Sequence, residues 1–282
     1  MSEALENLFS LQREIVVVTG GYGLIGRSLV AGLQGLGARV AVIEPQVSEA
    51  RSTAAFGALA RSERLAAFAA DVTKRDQLEA ALAAIKGRFG PPTGLVNNAA
   101  LDSPPDAPIS ENGPFESYPE ESWDRVMAVN VKGVFLGAQV FGAAMAEAGR
   151  GSIVNVSSIY GAVSPDQSLY EYRRESGENF YKPVAYSASK SALYNLTRYI
   201  AVYWGPKNVR ANTVTFAGVF NNQDQRFLEA YARKIPLRRG KPHLANMAEA
   251  NDYVGAVAFL LSPASGYMTG ADIRIDGGFM AT

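Results

Sequence analysis

The chain has 282 residues, 48% of them apolar, with 27 basic and 27 acidic side chains, one histidine and no cysteine. Balanced charge without a long single-sign block argues against an electrostatic nucleic-acid binder. The lack of cysteine excludes disulfides and thiolate zinc sites, and a lone His243 cannot build a multi-histidine centre, so no metal is expected.

The first thirteen residues carry acids and lack a signal peptide's apolar stretch. No run approaches the roughly 20 apolar residues of a spanning helix. The expectation is a cytoplasmic protein with neither membrane nor nucleic-acid partner.

Short β-branched runs then alternate with longer helical patterns. EIVVV at 14–18 reads as a strand buried on both faces. A helix over 23–36 follows, then a second strand, RVAVI, at 39–43. LAAFAA at 65–70 is a third strand and precedes a helix over 74–89. GLVNN at 94–98 is a fourth. A helical stretch over 122–148 leads to SIVNVS at 152–157, and a helix over 185–204 leads to VRANTVT at 209–215. DIRI at 272–275 is the seventh. Such alternation predicts an α/β fold, a three-layer doubly wound parallel sheet of Rossmann type with about seven strands in a single domain over 1–282. Segments 101–120, 163–183 and 216–240 lack strong periodicity and are expected to form substrate lids.

TGGYGLIG at 19–26 lies between the first strand and first helix, the context in which a glycine turn lets backbone approach a pyrophosphate at a helix N-terminus. Gly20, Tyr22, Gly23, Leu24, Ile25 and Gly26 are therefore cofactor candidates. Glu44, ending the second strand, is placed to accept both ribose hydroxyls, which favours NAD over NADP; Arg51 lies nearby in sequence.

YSASK at 186–190 puts Tyr186 and Lys190 four residues apart on one helix face. A phenol with a pKa near 10 is a poor base at neutral pH, and a neighbouring ammonium favours phenolate. The lysine would thus let tyrosine act as the proton-transfer group.

The motifs TGGYGLIG, DVT (71–73), NNAA (97–100), VNVKG (129–133), NVSS (155–158), YSASK and DGG (276–278) occur in this order. Together they resemble the short-chain dehydrogenase/reductase family over essentially the whole chain. The resemblance implies that Tyr186 is the general acid/base, tuned by Lys190, which also holds the nicotinamide ribose. It implies that Ser158 hydrogen-bonds the reacting oxygen, with Ser157 as its rival, and that Asn130 holds a water in a proton relay. Asp71 and Val72 would contact adenine, and Asn98 and Ala99 would line the cofactor cleft. Local alternatives are that Asp71 only starts a turn while Thr73 caps the next helix, and that Asn130 is a satisfied polar group inside its helix.

Three departures stand out. The glycines follow the three-spaced pattern of sugar-nucleotide-modifying relatives. TFAGV (215–219) puts Phe216-Ala217 where the family carries Pro-Gly, leaving Gly218 and Val219 to meet the carboxamide. About twenty extra residues, 164–183, separate Ser158 from Tyr186; they form either a lid or a solvated excursion.

The candidate pocket segments 101–118, 160–183 and 217–230 carry Asp102, Ser103, Tyr160, Gln167, Asn221, Asn222, Gln223 and Asp224, with Arg173 and Arg174 at the tip of the extra stretch. Their density suits a hydroxylated small molecule, a sugar or polyol. An inward Arg173 or Arg174 would instead admit a phosphate, carboxylate or sulfonate. The expected reaction is NAD-dependent interconversion of a secondary alcohol and a carbonyl. The alternatives are a sugar-nucleotide epimerase or dehydratase, and a catalytically silent nucleotide-sensing regulator. DGGFMAT (276–282) and the Ala-rich helices suggest a homo-oligomer, a tetramer before a dimer.

Overall fold

The computed structural model describes residues 8–102 and 112–281; Ser103 and the stretch 104–111 lie outside the described residues. Seven parallel strands pair in the order β3-β2-β1-β4-β5-β6-β7. They are β1 (Ile15–Thr19), β2 (Arg39–Glu44), β3 (Leu65–Ala69), β4 (Gly94–Asn97), β5 (Gly151–Ser158), β6 (Val209–Phe216) and β7 (Asp272–Ile275). Val17 of β1 pairs with Ala41 on one side and Leu95 on the other. All five β1 residues are buried, which is why that strand reads as unbroken apolar sequence.

Helices cover both faces. On one lie α1 (Leu24–Gly35) and, at the chain's far end, Val254–Leu261; their Leu29, Leu33, Val257 and Leu260 pack with Val16, Val18 and Val214. On the other lie Arg75–Phe89, the long stretch Glu120–Ala148, and Val184–Trp204; Leu78, Ile85, Phe141, Met145 and Ile200 meet Val17, Leu95 and Ile153 there. Contrary to the sequence expectation, Glu120–Ala148 is by length and composition apolar enough to cross a membrane. Its apolarity is spent on the sheet, where Leu136, Val140 and Phe141 are buried.

Helices not anticipated include α2 (Glu49–Phe56), Gln225–Ala232 and Val254–Leu261. Val254–Leu261 is apolar nearly throughout, so no period shows. Gln225–Ala232 lies within 216–240, begins at Asp224, whose carboxylate accepts from the Arg226 N–H at 2.8 Å, and buries Phe227, Leu228 and Tyr231. That face meets Leu169, Tyr170 and Phe180 from 163–183 in a third apolar cluster. The extra segment is therefore a packed wall rather than a solvated excursion.

Candidate active site

Because all strands run the same way, their C-terminal ends share one edge. A cleft of about 850 Å³ lies along it, from Gly20 and Glu44 at one end to Ser158, Tyr186 and Val219 at the other.

At the first end the glycines are required by geometry. Gly20 has φ +67°, and a Cβ there would lie 2.8 Å from Ala99 Cα. A Cβ on Gly26 would lie 2.2 Å from the Gly20 carbonyl oxygen. Gly23 is the N-cap of α1, with neither a side-chain cap nor an acid in the first turn. The positive end of the helix thus faces the cleft without a built-in anion. Leu24, Ile25, Asp71, Val72, Asn98 and Ala99 also line it.

Tyr22 does not line the cleft, against expectation. Its N–H donates to Glu44 Oε1 at 2.7 Å, its ring packs on Phe56, and its hydroxyl meets Ser52 Oγ at 2.7 Å. It therefore locks Glu44 to the glycine turn. Burial raises the Glu44 pKa, opposed by that N–H and by the Arg51 charge. Thr19 was missed by sequence reasoning: its hydroxyl accepts from the N–H groups of Asn98 and Ala99 at 3.1 and 3.0 Å. The Asn98 amide donates to the Thr19 and Gly20 carbonyls, so its side chain shapes the turn. Asp71 Oδ1 accepts from both N–H and hydroxyl of Thr73 at 2.8 Å. Thr73 therefore caps no helix; the next N-cap is Lys74.

At the reacting end the two serines part company. The Ser157 hydroxyl is buried and donates to the Lys190 carbonyl at 2.9 Å. Ser158 Oγ accepts the Tyr160 N–H at 3.2 Å, lines the cleft and lies beside the Tyr186 phenol. Tyr186 sits in the first turn of the helix Val184–Trp204, entered through Pro183. Burial raises its pKa, as does the charge of Asp102, while Lys182 and the Ser158 hydroxyl lower it. Lys190 Nζ donates to the Val156 carbonyl at 2.8 Å and lies 5.8 Å from the Tyr186 ring centre. Burial pulls its pKa down to about 8. A second cation lies nearer: Lys182 Nζ is 5.0 Å from that ring centre and 2.5 Å from Asp102 Oδ1. Four residues before Tyr186, Lys182 carried the same spacing signal as Lys190, but the intervening Pro183 hid it.

Asn130 is fully buried in a π turn, Ala128–Lys132, and does not line the cleft. Its side-chain oxygen accepts the Leu101 N–H at 2.7 Å, and its amide donates to the Leu101 carbonyl and Ser189 Oγ. The side chain thus clamps the segment leading to Asp102.

Gly218 donates its N–H to the Tyr231 hydroxyl at 2.7 Å, and its carbonyl accepts from Ala248 N. Its backbone is thus engaged, while Val219 lies next along the cleft wall. Phe216 stacks on Tyr253, centres 3.9 Å apart, and the Tyr253 hydroxyl donates to the Ala217 carbonyl. That packing is the structural role of Phe216-Ala217.

Of the substrate candidates, Asp102, Tyr160, Arg173 and Asn221 line the cleft. Gln167, Arg174 and Asn222 do not. Gln167 brackets the Lys182 backbone through both ends of its amide. Arg174 donates to the carbonyls of Phe180 and Gln167. Asn222 is exposed and takes a left-handed turn conformation, φ +55°. Among the described residues, no group of three or more His, Asp or Glu side chains could hold a metal ion.

A family model described as enoyl-(acyl carrier protein) reductase matches residues 23–280. The chain is 33% identical over 286 residues to a 2-(S)-hydroxypropyl-CoM dehydrogenase of Xanthobacter autotrophicus, covering 96% of this chain and 98% of that one. It is also 33% identical over 273 residues to a galactitol 2-dehydrogenase of Rhizobium johnstonii, covering 96% of each. The chain belongs to the short-chain dehydrogenase/reductase family. A crystal structure of a short-chain dehydrogenase from Leptospira borgpetersenii with bound NAD+ superposes with a TM-score of 0.81 at 29% identity, covering 99% of this chain and 96% of that one. As a family member the protein is an oxidoreductase of secondary alcohols working with a nicotinamide dinucleotide.

Proposed function

We propose that the protein oxidises one hydroxyl of a sugar or polyol with NAD as acceptor. The observation that carries this reading is a single cleft holding the Ser158 and Tyr186 hydroxyls at one end and Glu44 at the other. The glycine turn and the open N-terminus of α1 would hold the pyrophosphate, Glu44 the adenosine ribose, and Asp71 and Val72 the adenine. The Glu44 carboxylate, already fixed by the Tyr22 N–H, is suited to a ribose diol and hostile to a 2′-phosphate. Val219 would meet the carboxamide. When bound, an oxidised nicotinamide would supply the hydride acceptor.

The chain's own groups handle the proton. Ser158 donates to the substrate oxygen and holds it within reach of Tyr186. Tyr186, as phenolate, takes the hydroxyl proton, helped by the Lys182 cation against the burial that raises its pKa. Lys190, with its pKa near 8, can lose and regain a proton close to neutral pH and so suits a relay to solvent. The galactitol 2-dehydrogenase supports a polyol substrate by similarity.

We also infer a homo-oligomer, from the exposed apolar face of the helix Val184–Trp204. The test of the catalytic reading is NADH formation over a panel of alditols and sugars. Tyr186→Phe should lose about 10³-fold or more in kcat while still binding NADH by fluorescence titration. Undiminished turnover in that variant would refute the role of Tyr186.

A further inference from the structure

Besides Lys190, the described residues place two cationic side chains on the wall of the substrate end, Arg173 and Lys182. Each already has a carboxylate. The Arg173 guanidinium is paired with Glu178, with Nε 2.7 Å from Oε2, and lies flat on Phe180, 4.0 Å from its ring centre. Only 11% of its side chain is exposed. Lys182 is held at 2.5 Å by Asp102; its own side chain is 8% exposed, that of Asp102 51%. Burial opposes the Lys182 charge, but Asp102 together with the Tyr186 and Tyr160 hydroxyl groups holds its pKa above the ordinary value, so Lys182 stays an ammonium.

An anionic substrate would meet cations whose charge is already balanced by a carboxylate, and beside Asp102 it would meet like charge. A neutral chain of hydroxyls meets no such cost. It can donate O–H groups to the half-exposed Asp102 carboxylate, which two adjacent hydroxyls fit best. The walls of Tyr170, Tyr172 and Phe180 suit its C–H faces.

Resting on the polyol reading above, we propose that Asp102 is the specificity-determining residue of this cleft. It selects neutral vicinal diols and, by masking Lys182, rejects substrates bearing a carboxylate. The groups around this pair are the Tyr186 and Tyr160 phenols, and Lys190 lies beyond Tyr186.

The test is calorimetric titration of the NADH-bound protein with glucitol and gluconate, in the wild type, Asp102→Asn, and Asp102→Asn combined with Lys182→Met. Wild type should bind glucitol about 10- to 100-fold tighter than gluconate, the range expected for hydrogen bonds to a charged group. Asp102→Asn should weaken glucitol and strengthen gluconate, reversing the order, because Lys182 is unmasked. The double variant should lose the gain for gluconate. NADH titration confirms that each variant folds. Equal binding of both compounds to wild type, binding of neither, or an unchanged ratio in Asp102→Asn overturns the assignment. NADH formation with the same compounds reports separately on the reaction. Glucitol bound with the predicted preference but not oxidised would sink the polyol dehydrogenase reading and uphold the charge assignment.

Discussion

The adjacent serines of NVSS differ by the two-residue alternation of a strand, and that alternation decides their chemistry. Both serines border the cleft, but the Ser157 hydroxyl is committed to the Lys190 carbonyl, whereas the Ser158 hydroxyl lies beside the Tyr186 phenol. Ser158→Ala should therefore cut kcat by about 10²- to 10³-fold, the scale for losing one donor to a reacting oxygen. Ser157→Ala should leave kcat near wild type and lower stability by about 1 kcal/mol. Steady-state kinetics and thermal melts on the two variants check this, and a larger catalytic loss at position 157 would reverse the assignment. Lys190 gives a pH prediction. Its folded-state pKa lies below the ordinary value of 10.5, so the unfolded chain binds more protons between about 8 and 10.5. The cost of burying its charge is full below pH 8 and disappears as pH rises through that window. Lys190→Met should be more stable than wild type at pH 7, by on the order of 1–3 kcal/mol after the lost bond to Val156 is counted. That advantage should shrink by pH 10, in melts of cofactor-free protein, while turnover is lost. A difference independent of pH would show that Lys190 is not a buried charge.

At the level of elements, the strand–turn–helix unit around TGGYGLIG is the most legible part of the sequence, because Gly20, Gly21 and Gly26 each answer a close contact. Gly26→Ala would place a methyl 2.2 Å from the Gly20 carbonyl oxygen, which is backbone and cannot step aside. The expected outcome is a loss of about 2–4 kcal/mol in stability, in line with overpacking plus backbone shift, and NADH binding weakened at least 10-fold. Chemical denaturation and fluorescence titration measure the two effects, and a wild-type melt would show that the turn has slack. The seven strands were legible for a related reason: parallel strands buried on both faces leave unbroken β-branched runs. The helix Gln225–Ala232 was not, because its apolar face answers to Tyr170 and Phe180, residues distant in sequence. Asn130 was legible as a position but not in its packing. A motif marks the position but does not say that the side chain turns to Leu101. Lys182 was overlooked because a proline breaks the helical spacing that made Lys190 visible.

For the molecule as a whole, the sheet accounts for the inner faces of the long helices but not for one outer face. On the helix Val184–Trp204, Tyr199, Val202 and Tyr203 are 66%, 80% and 64% exposed, and the two tyrosine rings stack 6.0 Å apart. Their spacing of three and four residues makes them one stripe. Phe135, on the neighbouring long stretch Glu120–Ala148, is also exposed. Among the described residues such a row has no partner, and large apolar side chains grouped on one surface mark an association face. The same helix carries Tyr186 and Lys190 at its other end, so burial of the stripe between copies would also stiffen the catalytic turn. A charge placed there should be tolerated by the isolated fold and not by an interface. Tyr203→Glu should lower the mass measured by light scattering to that of a smaller assembly at micromolar concentration. NADH binding should persist, since residue 203 lies more than four helical turns from Tyr186. An unchanged mass, or a wild type that is already monomeric, would show that the stripe is open surface.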